Sequence, residues 1–262
     1  MKKTIIDFIP EELPSDVLSL TRGARIFDSS CSPEARVYFI DRDGGYYLKL
    51  AKSGTLAREA DMTKYFHSKR LATEVMTYYN LGERDLLVTR AVQGEDLTHE
   101  RYLSEPERLA ETTGTLLRAL HETSAQGCPV TDRMNEYLAL AEKNYRTGNY
   151  DKTCFPDSFG YRSAEEAWRV LSDGREALKN EVLLHGDYCL PNVMLDGWKF
   201  SAYIDLGNGG LGDRHIDLFW GAWTLGFNLG TDKYRDRFFD AYGKDKIDFE
   251  KLKIIAAAEV FG

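Results

Sequence analysis

The sequence predicts an α+β protein of two lobes, β-rich first and mostly helical after. Three observations carry that expectation. Runs rich in β-branched and aromatic residues crowd the first third of the 262 residues. A Gly-containing connection loosens the chain near residues 89–94. Apolar residues at helical spacing dominate beyond it.

The elements follow in order. SSCSPE, 29–34, is small and polar, the composition of a loop. EARVYFI, 34–40, and YYLKL, 46–50, read as a hairpin, because DRDGG between them supplies residues that tolerate positive φ. LAREADMTKYFHSK, 56–69, has helical spacing, and DLLVTRAVQGEDL, 85–97, begins as a short apolar strand. The helix PERLAETTGTLLRALHE, 106–122, has Pro106 near its start, with Leu109, Leu116, Leu117 and Leu120 on one side. Helical patterns recur at 133–146 and 164–174, separated by a long irregular loop at 147–163. EVLL, 181–184, reads as a strand, and VMLDGWKFSAYIDLG, 193–207, as a hairpin turned at Asp196-Gly197. Apolar helices at 217–229 and 246–261 complete the second lobe. The expected boundaries are 1–88 for the first lobe, 89–94 for the connection and 95–262 for the second.

Composition narrows the function. A net charge of −8 argues against nucleic acid, whose phosphates repel such a surface, and suits a cationic small molecule. Cys31, Cys128, Cys154 and Cys189 are scattered without a CxxC pair, so neither a zinc site nor a disulfide framework is indicated. That pattern fits a reducing cytosol, and a cytoplasmic protein is expected. Asp7 and Pro10 interrupt the first apolar run too early for a signal peptide, and no run is long enough to span a membrane.

Two groupings carry chemistry. Asp187 and Asn192 lie in LLHGDYCLPN after an apolar strand, and Asp205 stands at the end of the strand SAYID. Three oxygen-bearing side chains at strand ends suit Mg²⁺, which takes one or two carboxylates plus phosphate oxygens and water. A carboxylate near such a metal can accept a proton from a hydroxyl nucleophile. Lys49 is a lone cation in an apolar strand, and Glu59 follows ten residues later on a helix. A strand Lys held by a helix Glu is the phosphate-positioning device of phosphoryl transfer. His185 is read as packing under the loop, since Asp187 supplies the base. Asp217 falls in the first turn of a helix, where a carboxylate is favoured.

HGDYCLPNVML and YIDLGNGGLGDRHIDL resemble the aminoglycoside phosphotransferases, in particular the 3′-phosphotransferases that act on kanamycin and neomycin. SPEARVY is similar to that family's nucleotide loop, YLK and READM to its Lys strand and Glu helix, LLVTRAVQG to its hinge, and AEVF to its ending. The resemblance implies a protein-kinase-like bilobal fold: a five-stranded antiparallel first lobe with one key helix, a hinge and a helical second lobe. It implies transfer of the γ-phosphoryl of ATP or GTP to an aminoglycoside hydroxyl, the 3′-hydroxyl foremost, with Mg²⁺. By matching positions, Asp187 is the catalytic base, and Asn192 and Asp205 bind magnesium. Lys49 contacts the α- and β-phosphates with Glu59 as its partner. Ser32 touches the β-phosphate, Tyr47 stacks on adenine, and main-chain groups near Thr89 and Ala91 bond its edge. Asp217 holds the catalytic loop, and Glu259 binds an ammonium of the antibiotic. Asp157, in the long loop with Asp151, either recruits ammonium groups or is a turn residue.

The chain departs from the family pattern at Asn208 and Trp223, where Arg is common, and at Ala258, where an Asp precedes the final Glu. These departures fall on the acceptor side. Alternatives therefore stay open: a related kinase for a macrolide, choline, an amino alcohol or a sugar, or a nucleotide-binding module without catalysis. A monomer and a dimer are both compatible with the sequence.

Overall fold

The protein is described by a computed structural model covering residues 3–150 and 160–262. The chain begins with strand β1 (Thr4–Ile6), helix α1 (Ser15–Thr21) and strands β2 (Arg25–Asp28), β3 (Ala35–Asp41) and β4 (Tyr46–Lys52). Helix α2 (Ala57–Ser68) and strands β5 (Val75–Asn80), β6 (Arg84–Arg90) and β7 (Glu95–Asp96) follow. Next come helices α3 (Glu100–Leu103), α4 (Pro106–Glu122), α5 (Arg133–Thr147) and α6 (Ala164–Gly174), then strand β8 (Val182–Leu184). Strands β9 (Val193–Asp196), β10 (Lys199–Tyr203) and β11 (Gly210–Gly212) lead to helices α7 (His215–Leu229), α8 (Arg235–Tyr242) and α9 (Phe249–Glu259).

These elements form two compact units. Met1–Leu97 groups with Pro191–Asn208, and Thr98–Leu190 groups with Gly209–Gly262. The β9–β10 hairpin, read from sequence with the second lobe, thus packs with the first unit.

The first unit is built on a six-stranded antiparallel sheet in the order β1-β2-β3-β4-β6-β5. The expected count was five. The sixth strand is β1, which pairs Ile5 with Phe27 at the edge. Strand β4 alternates, burying Tyr46, Leu48 and Leu50 in a core shared with Ile26, Tyr38, Ile40 and Leu86. Tyr47 and Lys49 therefore point to the opposite face. The β3–β4 turn contains Asp43, Gly44 and Gly45, all at positive φ. Helix α2 is anchored by the fully buried Asp85, whose carboxylate accepts from the Leu56 N–H at 2.9 Å and from the Asn80 amide at 2.8 Å. A second sheet, β10-β9-β7, lies in the same unit. The β9–β10 turn comprises Gly197 and Trp198, one position beyond the expected Asp196-Gly197, with Lys199 paired to Asp196.

The second unit is mostly helical, with one short ladder of β8 and β11. Its core joins α5, α6 and α9 through residues such as Tyr137, Leu138, Ala167, Leu171, Ile255 and Phe261. Pro106 stands at the first turn of α4, where its missing N–H leaves no bond unmade. Gly148, left-handed, ends α5. Among the described residues no helix is long and apolar enough to cross a membrane.

Candidate active site

In the first unit, Lys49 gathers two carboxylates. Its ammonium donates to Glu59 at 3.0 and 2.8 Å and to Asp205 at 2.9 Å. Glu59 sits in the first turn of α2, where the helix dipole favours negative charge. Burial alone would lower the Lys49 pKa, but Asp205 and Glu59 outweigh it and the result is raised. Lys49 is therefore charged throughout the neutral range. Burial pushes the Glu59 carboxyl up and the Asp205 charge adds to this, while Lys49 opposes both.

Asp205 lies two residues beyond the end of β10, with φ +57, a left-handed conformation that Asp tolerates better than most residues. Asn192, buried in the turn just before β9, accepts from the Ile204 N–H at 3.0 Å through its main-chain carbonyl. The pairing of Val193 with Tyr203 sets both residues at the open end of the β9–β10 hairpin. The two together offer an amide oxygen and a carboxylate, the hard donors magnesium takes. Among the described residues no cluster of three or more His, Cys, Asp or Glu forms a closed cage. A two-donor set fits an ion that completes its shell with phosphate and water, not one fully enclosed by protein.

Lys49, Glu59 and Asp205 border a cavity of about 420 Å³ that Ser32, Tyr47, Thr89 and Ala91 also line. Tyr47 packs its ring against Phe39 at 5.1 Å. Thr89 is locked in the sheet opposite Tyr47 and Val75. The Ala91 N–H is already donated to the Gly45 carbonyl at 2.9 Å, so Ala91 can meet a ligand only through its carbonyl. Lys3 lines the same cavity, with its ammonium 3.4 Å from the Phe39 ring centre. Sequence reasoning missed Lys3, because only the edge strand brings it there.

In the second unit, β8 runs into His185, Gly186 and Asp187. The fully buried Asp217 carboxylate, in the first turn of α7, accepts from the His185 N–H and the Gly186 N–H at 2.8 Å each. It also bonds His121 Nε2 at 3.1 Å, and His121 Nδ1 reaches the Tyr242 hydroxyl at 2.8 Å. Burial lowers the His121 pKa more than Asp217 raises it. His185 is itself buried, and its Nδ1 accepts from the Asp187 N–H at 3.3 Å. Further along the loop, the Tyr188 hydroxyl donates to the Thr113 carbonyl at 2.9 Å, and the Leu190 N–H to Thr224 Oγ1 at 3.2 Å. The loop is thus fixed on both sides of Asp187, a half-buried residue.

Glu259, near the end of α9, accepts from the Tyr137 hydroxyl at 2.7 Å and the Trp220 indole N–H at 3.0 Å. Burial pushes its carboxyl up to about 7 although these bonds pull the other way, and the charge of Asp187 adds to the rise. Trp220 is thus a direct partner of Glu259. Asp151 and Asp157 lie outside the described residues.

A model of the phosphotransferase enzyme family matches residues 25–255. The chain belongs to that family. A relative of this phosphotransferase from Lactococcus lactis subsp. lactis, named a probable aminoglycoside 3′-phosphotransferase, is 48% identical over 252 residues, covering 96% of each chain. Among solved structures, an aminoglycoside-3′-phosphotransferase of type VIII superposes on the phosphotransferase with a TM-score of 0.76 at 23% identity, covering 92% of this chain and 94% of that one. An aminoglycoside phosphotransferase from Streptomyces rimosus, in complex with ADP and streptomycin, gives 0.72 at 20% identity, covering 94% and 97%. The two-lobed α+β architecture expected for the phosphotransferase is therefore the fold of these structures.

Proposed function

We propose that this phosphotransferase moves the γ-phosphoryl group of ATP to a hydroxyl of an aminoglycoside, foremost the 3′-hydroxyl, and so inactivates it. The observation that carries this reading is Lys49, charged and bonded to both Glu59 and Asp205 inside a cavity large enough for a nucleotide. The resemblance of the whole chain to a probable aminoglycoside 3′-phosphotransferase supports the acceptor class.

In this reading the adenine of ATP, or the base of GTP, stacks on Tyr47, and the connection at 89–94 serves as the hinge. The edge of the base meets the carbonyl of Ala91 and main-chain groups near Thr89. Ser32 approaches the β-phosphate. Lys49 orients the α- and β-phosphates, and Glu59 keeps its ammonium aimed. Asn192 and Asp205 would hold Mg²⁺, which supplies positive charge to the phosphate oxygens when bound. The acceptor oxygen attacks the γ-phosphorus, the bond to the bridging β-γ oxygen breaks, and ADP leaves. Asp187 takes the proton from the attacking hydroxyl, and the Asp217 bonds hold the Asp187 loop still for that transfer. Glu259 pairs with an ammonium of the acceptor. The acidic net charge suits such a polycation, and we place the reaction in the cytoplasm, where ATP is abundant and the free Cys31, Cys128 and Cys189 stay reduced.

The test is Asp187→Asn. Turnover of kanamycin should fall by at least about a thousandfold, the scale of losing a general base together with its positioning, while ATP affinity stays near wild type. Wild-type turnover in this variant would overturn the assignment.

A further inference from the structure

Helix α7 uses one stripe for the catalytic loop. Asp217 and Thr224, seven positions apart and so nearly superposed along the axis, bond His185, Gly186 and Leu190. The adjoining stripe is aromatic. Trp220 donates to Glu259, its ring meets Trp223 edge-on at 5.4 Å, and Trp223 stacks on Phe227 at 5.0 Å with only 13° between the planes. Phe227 is 71% exposed, far more than its helix neighbours Trp220 and Trp223. The ladder thus runs from an acidic, half-buried end at Glu259 to an open aromatic end, beside the loop that carries Asp187.

We infer that Trp220, Trp223 and Phe227 form the wall that binds the acceptor, taking the flat face of an amino-sugar ring while an ammonium of the same molecule pairs with Glu259. The inference rests on the proposed acceptor class and adds the surface that recognises it. Aromatic faces carry negative charge density and attract both ammonium groups and the polarised C–H bonds of a sugar ring. The carboxylate at one end supplies charge complementarity that a neutral lactone or an apolar protein surface would not use. Among the described residues, Phe227 leaves the far end of this stack open while Glu259 closes the other end with a carboxylate.

Steady-state kinetics with kanamycin at saturating MgATP test this. Trp223→Ala should raise the acceptor KM by roughly tenfold while the ATP KM stays at its wild-type value. Trp223→Phe should recover most of that loss, because a ring suffices, whereas a purely structural role would move both KM values together. Phe227→Ala, at an exposed position that tolerates truncation, provides a second variant should Trp223→Ala fail to fold; its acceptor KM should rise about threefold. Folded variants of both residues with wild-type acceptor KM overturn the wall alone. So does a Phe227→Ala variant that changes self-association in sedimentation but leaves KM alone, which assigns the stack to a second copy. A wild-type enzyme that phosphorylates a neutral sugar and no aminoglycoside overturns the acceptor reading and the wall together.

Discussion

Glu259 is a residue whose charge responds to pH near neutrality. Its carboxyl ordinarily titrates near 4.5 and is pushed to about 7 by burial. The folded state therefore holds the proton more tightly than the unfolded chain does. The resulting stability is complete below 4.5 and is lost as pH rises through about 7. Glu259→Gln should flatten the fall in melting temperature over that interval, measured by thermal unfolding at a series of pH values. Binding an ammonium needs the opposite form, the carboxylate. The acceptor KM of the wild type should therefore drop as pH rises through about 7, and that limb should disappear in Glu259→Gln. Lys49 makes a simpler case. Lys49→Met leaves Glu59 and Asp205 facing each other without their cation, and ATP affinity in a titration should fall at least about tenfold. The pairing of Lys49 with Glu59 was legible in the sequence, because a lone strand Lys followed ten residues later by a helix Glu is a local pattern. The pairings of Lys3 and Trp220 were not. Their partners, the Phe39 ring and Glu259, stand 36 and 39 positions away in sequence, and no local pattern records such pairs.

Helix α7 and the β9–β10 hairpin do the positioning. Asp217 accepts two main-chain N–H groups and bonds a His, with the His185 and His121 groups buried and the Gly186 N–H part-buried. Asp217→Ala would leave those donors unmet, at a cost of about 3 kcal/mol or more, and should lower both the melting temperature and kcat. Gly94 makes the closest backbone approach in the first unit. Its φ is +95, and a Cβ there would run into the Leu195 carbonyl on β9. Gly94→Ala should therefore destabilise the protein by at least about 2 kcal/mol in denaturant unfolding, displacing the hairpin that carries Asn192 and Asp205. Helices α4 and α6 were readable to the residue, since Pro106 and the capping Ser163 mark their starts. Strand β1 escaped notice because three residues, with Ile5 65% exposed, give no alternation to detect. The hairpin turn was placed one position early. Asp-Gly is the usual turn pair, but the chain uses Gly197 and Trp198, so Trp198 takes φ +72 against the habit of bulky residues.

Each of the two units carries its own core together with part of the proposed reaction machinery. The second unit carries a buried charge network: Asp213 bonds His215 Nδ1 at 2.5 Å and Lys251 at 2.9 Å. Burial works against ionising Asp213, yet His215 and Lys251 hold its carboxyl far below the ordinary 3.8. That stability is present above 3.8 and is lost as pH falls below it, so Asp213→Asn should weaken the acid limb of the stability profile in denaturant unfolding. The general architecture was legible because composition changes from β-branched to helical along the chain. That the 191–208 segment packs with the first unit was not, since pairing of β9 with β7 is a long-range event with no local signature. Phosphoryl transfer to an aminoglycoside hydroxyl is tested by following ADP release with kanamycin and with tobramycin, which lacks the 3′-hydroxyl. MgATP-dependent turnover of kanamycin and none of tobramycin is expected; equal turnover of both would contradict transfer to the 3′-hydroxyl, and turnover of neither would contradict the acceptor class.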